Sequence, residues 1–437
     1  MQTNRAVIAV FFLLISAAAF TQATTNSPYS KYGIGELRPE TFSYNFGMGG
    51  TAIGIRSFKD IGYLNPASYS AIANTTFDVG YTNNALWLKD NSESQHQNNP
   101  YISHIAFAMP VVKNKWGMSF GMMPFSSVGY QYDEVRNDSI AGGDYSYYTY
   151  GEGALNKLYW GNALAFNIDS TSLVSFGFNG YYIFGAMTYD QKIIYGNLPN
   201  ALNVWKLKDV SVADFGGSLG LQYQKKFIKR NEDKEKDEFS LTFGVTYDLA
   251  ADLNTTSTTL LRTFKGNIDF GTLKDTTSFD ENTNDVTRLP SKLGVGFSLE
   301  KENKWLIAAD YRSANWGAIQ SSDTLYSYQS SQSIAIGGQF IPSWDGRKYY
   351  QRMAYRFGIR YASSYLAVNN TDWSEYGITF GIGLPVRRSE FTYPRLNLGI
   401  EYGSRGTMDN GLVKENFLNF NVGVTINAIW FQKRKYD

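Results

Sequence analysis

Phe239, Leu241, Phe243, Val245, Tyr247 and Leu249 are six large apolar residues spaced two apart, with Ser240, Thr242, Gly244, Thr246 and Asp248 between them. Side chains of a strand point alternately to two faces, so this segment has one greasy face and one small, polar face. The pattern recurs in Leu293–Val295–Phe297–Leu299, in Tyr376–Ile378–Phe380–Ile382–Leu384 and in Leu418–Phe420–Val422–Val424–Ile426. Repeated to the end of a chain, it fits a barrel whose outside meets lipid and whose inside is wet.

Composition supports that reading. The 437 residues carry a formal charge of +1, which gives no electrostatic case for nucleic acid. Cys is absent, so disulfides and thiolate metal sites are excluded. Aromatics reach 16%, a bias toward strand formers. Mean hydropathy is −0.31, too low for a bundle of membrane helices but compatible with strands that wet one face. At the N-terminus, Arg5 followed by the apolar run Ala6 to Phe20 and by Thr21-Gln22-Ala23 has the layout of a secretory signal, residues 1–23, cleaved after Ala23. An exported chain with dyad strands and no helical span belongs in a Gram-negative outer membrane.

Segment 24–74 differs from the rest. It holds Gly33, Gly35, Gly47, Gly49, Gly50, Gly54 and Gly62 with little alternation, and is expected to be an irregular, compact unit. Residues 75–437 are expected to form the barrel. Dyad strands are predicted at 76–88, 101–110, 115–132, 157–169, 172–185, 211–227, 238–250, 291–300, 304–315, 330–341, 352–365, 374–386, 394–403 and 416–427. That is about fourteen, an even number as in bacterial single-chain barrels. Outside loops are expected at 89–100, 133–156, 186–210, 251–290, 316–329, 366–373 and 404–415. Short turns are expected at 111–114, 170–171, 228–237, 301–303, 342–351 and 387–393. The long-short rhythm places both termini in the periplasm. Segment 251–290 has room for an extra hairpin, Asn254–Phe264 with Asn267–Leu273. Trp87, Trp116, Trp160, Trp305, Trp316, Trp373 and Trp430 fall near strand ends, where an aromatic girdle belongs. The charged run Lys225 to Glu238 suits a solvated turn, and Lys433-Arg434-Lys435 suits a membrane surface. Tyr145, Tyr147, Tyr148 and Tyr150 are expected in an outside loop, where they either pack among themselves or bind an apolar ligand.

Few residues offer chemistry. Gly216-Gly217-Ser218-Leu219-Gly220 matches G-x-S-x-G, but it lies inside a dyad strand rather than at a strand-to-helix turn. The only histidines are His96 and His104, so the one enzyme variant open to the chain is a lipolytic barrel pairing His104 with a serine. No metal cluster has recognisable spacing, and the expectation is no enzyme, no metal and no cofactor. The lumen phase carries Asp310, Arg312, Arg356, Arg360, Arg395 and Glu401. These either pair with one another to hold water or a plug, or offer an arginine to a carboxylate head group. Arg356 and Arg360 best suit the second role, being four apart on one strand face. Pro124 interrupts the third strand, with Ser126, Ser127 and Gly129 after it. Proline cannot donate to the ladder, so it marks a bulge or a break in the wall.

Gly47-Met48-Gly49-Gly50-Thr51-Ala52-Ile53-Gly54, followed by Asn65-Pro66-Ala67-Ser68, resembles the FadL family of outer-membrane transporters for long-chain fatty acids and other hydrophobic compounds. Ser27-Pro28-Tyr29-Ser30-Lys31-Tyr32-Gly33 and the last twenty residues look like Bacteroidota members of that kind. The resemblance implies that roughly Asn26 to Ala73 is a hatch plugging the lumen, with Asn65, Pro66 and Ala67 as its turn. It implies a lateral opening at Pro124 and Gly129. A hydrophobic small-molecule ligand would rest on Phe46, Met48, Ile53 and Phe58, with Arg356 and Arg360 near its head group, and leave sideways into the bilayer. A related barrel of those bacteria serves the type IX secretion machinery, so the alternative is a docking or shuttle barrel whose partners are secretion-system proteins.

Overall fold

The computed structural model describes residues 25–430 apart from 91–92, 139–142, 197, 199–200, 231–235, 267–270, 320–324 and 387–391. The expected signal, the basic run 433–435 and the centre of the charged turn lie outside the described residues. Fourteen antiparallel strands close a barrel: β1 (Thr75–Lys89), β2 (Ser94–Val112), β3 (Trp116–Asp138), β4 (Gly143–Asn167), β5 (Ser172–Ile194), β6 (Asn203–Arg230), β7 (Lys236–Asp248), β8 (Lys292–Lys301), β9 (Trp305–Ala314), β10 (Ser331–Phe340), β11 (Ala354–Val368), β12 (Thr371–Pro385), β13 (Thr392–Arg405) and β14 (Lys414–Ala428). The ring closes where β14 pairs with β1, Val422 facing Tyr81.

The alternating run that opens β7 keeps its two faces. Phe243, Val245 and Tyr247 are exposed on the outside, and Thr242 and Thr246 are buried inside. β7 pairs with β8, Phe243 opposite Phe297. The residues between them leave the wall as a hairpin, Ala251–Lys265 and Thr272–Leu289, which pairs with the outer half of β6. The hairpin expected at Asn254–Phe264 therefore exists, but its return strand runs to Leu289.

The expected loops 133–156 and 186–210 are a correction. β3 to β6 have 23 to 28 residues each, against the ~9–11 that cross a bilayer, and they continue as one ladder beyond the membrane. Tyr145, Tyr147, Tyr148 and Tyr150 lie on β4 in register with β3 and β5. Above the lipid no apolar outer face is required, so the greasy alternation fades while hydrogen bonding continues. Two tryptophans also depart from the expected girdle. Trp316 is 2% exposed and packs against Tyr328 and Tyr365 inside the mouth. Trp373 stacks on Tyr29 of the N-terminal segment at 4.2 Å. Trp373 lies on the inward phase of β12, and Trp316 opens the 3-10 turn Trp316–Ala318 just beyond β9.

Residues 25–74 occupy the lumen. They contain two short 3-10 helices, Pro28–Lys31 and Pro66–Ala71, a helical turn Ser43–Phe46 and a two-residue strand Glu36–Leu37. The wall admits their backbone because its inner face is glycine where contact is closest. A Cβ at Gly244 would strike the Ile53 carbonyl, one at Gly337 the Met48 carbonyl, and one at Gly117 the Tyr69 carbonyl.

Candidate functional site

The N-terminal segment is fastened to the wall by buried polar contacts. Asp310 on β9 accepts the backbone N–H groups of Ala52 and Ile53 at 2.6 and 2.9 Å. Asn65 caps the helix Pro66–Ala71: its side chain accepts from the Ala67 N–H at 3.1 Å and donates to the Ile53 carbonyl at 2.9 Å. Asparagine before proline suits a helix start, because the cap takes an orphan donor and proline has none to lose. Arg395 pairs with Asp60. Glu36 pairs with Arg405, which also holds Glu415. Burial raises the Glu36 carboxyl, but Arg405 and Arg38 outweigh it and hold the pKa at about 2.

The wall is incomplete beside Pro124. The β2–β3 ladder runs only from Val112–Trp116 to Ile105–Met122. Beyond it, β2 pairs with β1, and β3 pairs with β4 across a bulge between Pro124 and Ser126. The N-terminal segment enters this gap. Glu36 and Leu37 add to β3 opposite Ser127 and Ser126, and the Arg38 N–H donates to the Phe125 carbonyl at 3.0 Å. Arg38 Nε donates to Ser127 at 2.8 Å, and its guanidinium lies 4.6 Å from the Tyr101 ring of β2. Asn26 donates to Asn99 of β2 at 2.6 Å, and the Gly129 N–H donates to Ser30 Oγ at 3.0 Å. Gly129 is required by closeness: a Cβ there would overlap the Thr25 carbonyl.

Inward of this gap, in the lumen between the N-terminal segment and the ring of wall strands, is a cavity of about 300 Å³. Phe46, Ile53, Tyr63, Phe125, Tyr181 and Trp316 supply apolar lining; Glu40, Lys157, Asp248, Lys292, Arg312 and Arg360 supply charge. Lys157 pairs with Glu40, and its Nζ lies 4.6 Å from the Tyr181 ring and 4.9 Å from the Phe125 ring. Burial pushes the Glu40 carboxyl up, but Lys157, with Lys292 and Arg312 behind it, holds its pKa at about 2.

The residues singled out from the sequence separate in space. Phe46, Ile53 and Arg360 line the cavity. Met48 is fully buried in a cluster with Tyr44, Ile55, Leu306 and Ala308. Phe58 is exposed, with Lys59 Nζ 4.4 Å from its ring. Arg360 spends its donors on Glu375 and Glu401. Arg356, 1% exposed, donates to Gln339 and Asn397 and lies over the Tyr44 ring. Arg360 is thus held between two carboxylates, whereas the Nη2 of Arg356 is buried without a hydrogen-bond partner among the described residues. His104 lies between Asp78 and Ser103, each at 3.1 Å, stacked at 4.0 Å on Phe42; His104 and Asp78 are buried, and Ser103 is half-buried at the edge of the cavity. Ser218 stays within β6, in reach of Asn179 at 3.4 Å. Lys157, Glu36 and Arg38 were missed from the sequence. The only signal for Lys157 is that it shares the inward phase of Leu155 and Tyr159, both 1% exposed.

A closed fourteen-strand barrel with its lumen filled by its own N-terminal segment is the fold of FadL-type barrels. Its fold is similar to that of the P. putida toluene transporter TodX, at 17% identity over 91% of this chain and 100% of that one, TM-score 0.58. It is similar to the Ralstonia pickettii toluene transporter TbuX, at 14% identity over 90% and 99%, TM-score 0.55. A Pseudomonas aeruginosa FadL homologue gives 10% identity over 91% and 100%, TM-score 0.55. No curated protein sequence matches. The chain belongs to the BamG family, which it matches over residues 3–437.

Proposed function

We propose that the protein is an outer-membrane channel for passive uptake of hydrophobic, fatty-acid-like compounds, which it releases sideways into the bilayer beside Pro124. The observation that carries this reading is the interrupted β2–β3 ladder, the one break between neighbouring wall strands among the described residues that the N-terminal segment fills. A compound passing the aromatic mouth of Trp316, Tyr328 and Tyr365 would reach the Phe46 and Ile53 side of the cavity and leave where Leu37 now seals the wall. Apolar burial at about 25 cal/mol per Å² drives capture without an energy source. TodX and TbuX are named as toluene transporters, which supports an apolar cargo. In this reading the short-turn end and both termini face the periplasm.

The absence of Cys makes the test clean. Leu37→Cys with Ser126→Cys places two thiols at a directly paired register position, within disulfide reach. The oxidised pair should stop uptake of a hydrophobic fluorescent probe, reduction should restore it, and Pro124→Ala should slow it. Equal uptake in the oxidised, reduced and barrel-less cells would overturn the proposal.

A second reading, a docking barrel for protein partners such as secretion components, is favoured by a different observation. The strand Thr272–Leu289 pairs on one side with Ala251–Lys265, and no described residue pairs with its other edge. An open edge accepts a partner strand. Replacing 251–289 by a short turn should then release a co-purifying partner while leaving probe uptake intact.

A further inference from the structure

We propose that the outer wall at the short-turn end carries a binding site for one anionic phospholipid. The outward row of β10 is Ile334, Ile336, Gly338 and Phe340, three large apolar side chains and one gap. Gly338 lies opposite Ile307 on β9 and Phe357 on β11. The result is a groove of about 560 Å³ in the lipid-facing surface, walled by Trp305, Ile307, Ile336, Phe340, Phe357 and Phe380. The plug does not demand this glycine. A Cβ at 338 would have only the Leu306 carbonyl near it, at 3.1 Å, whereas one at neighbouring Gly337 would strike Met48. The groove opens among exposed apolar side chains, so the chemistry that fills it is an acyl chain.

The connection directly below is built for the other end of a lipid. Segment 341–353 is the longest at the short-turn end. It is held by a hydrogen bond from Ser343 N–H to the Gln351 carbonyl at 2.8 Å and by the turn Tyr349–Gln351. Trp344, Tyr349 and Tyr350 are exposed, as in an interfacial belt. Arg347, Lys348 and Arg352 are exposed as well, and none forms an ion pair with a described residue. The segment's one acid, Asp345, accepts from Ser343. Groove and cations adjoin: Tyr355, which lines the groove, donates its hydroxyl to the Tyr350 carbonyl at 3.1 Å. Three cations beside a notch for an acyl chain select an anionic head group over a zwitterionic one. The site needs the short-turn end to face the phospholipid leaflet, and is independent of what passes through the lumen.

The test is native mass spectrometry of the detergent-purified full chain offered equal amounts of phosphatidylglycerol and phosphatidylcholine with matched acyl chains. The wild type should retain phosphatidylglycerol on the order of tenfold more. R347Q/K348Q/R352Q should bring the two lipids to parity, and Gly338→Phe should lower retention of both. A heat-modifiable gel shift shows that each variant is folded. Parity in the wild type, an unchanged preference in the triple variant, or unchanged retention in the filled groove would each overturn the proposal.

Discussion

Asp310→Ala tests whether the plug is fastened where the contacts place it. Two buried backbone donors, Ala52 N–H and Ile53 N–H, share the Asp310 carboxylate. Stranding a buried donor costs about 1–3 kcal/mol, so the pair sets a gross loss of about 2–6 kcal/mol. Removing the buried carboxylate relieves part of this, because its own desolvation is no longer imposed. A net local loss of about 3 kcal/mol corresponds to a roughly 150-fold larger open population and, where reclosing outpaces exchange, to proportionally faster exchange. The effect should be confined to the plug, since the β9 ladder with β8 and β10 uses backbone groups alone. Hydrogen exchange on a peptide spanning 48–56 reads it directly, with a β14 peptide as control. Asp310→Asn keeps a neutral acceptor and should give an intermediate rate. Unchanged exchange at 48–56 in Asp310→Ala would refute the assignment of Asp310 as an anchor.

The plug should loosen in acid. Glu36 and Glu40 are held at about 2 in the fold, against about 4.3 for a free glutamate, so their contribution is complete above that value and is lost as pH falls toward 2. Limited proteolysis of the N-terminal segment at pH 7 and pH 3 measures it, and Glu36→Gln should flatten the difference. Gly244→Val should displace the segment at Ile53 at a cost of about 1–3 kcal/mol or more. Gly180→Ala, where a Cβ would have nothing nearer than the Trp160 carbonyl at 4.0 Å, should change the thermal midpoint little. Lys157→Met removes the cation facing Glu40 and leaves a buried acid, so the plug of this variant should unlock at neutral pH, detected as cleavage of the N-terminal segment.

The barrel was legible because lipid imposes a rule on every crossing: apolar out, backbone satisfied by neighbours. That rule fixes strand number and phase from residues two apart. It fails above the membrane, where β3 to β6 continue without an apolar outer face while Tyr132, Met187, Tyr189 and Val210 pack inward, and it fails at Trp373, on the inward phase of β12, and at Trp316, in the turn beyond β9. At the site, the inward charges Asp310, Arg360, Arg395 and Glu401 were visible, but their partners were not. Arg395 finds Asp60 and Arg360 finds Glu375 and Glu401 only once the ring has closed.

By itself, then, the alternation of Phe243, Val245 and Tyr247 with Thr242, Gly244 and Thr246 determined that the chain would form a wall with a lipid face and a polar face. What the polar face meets was decided by tertiary structure. Gly244 looks like a weak strand residue in one dimension, and is the floor on which Ile53 lies in three. The interruption at Pro124 is likewise a single imino acid in sequence; it becomes a place in the wall where Glu36 and Leu37, some ninety residues earlier, pair with Ser127 and Ser126. Local spacing carries the period of a strand, and carries nothing about which distant backbone will rest against it.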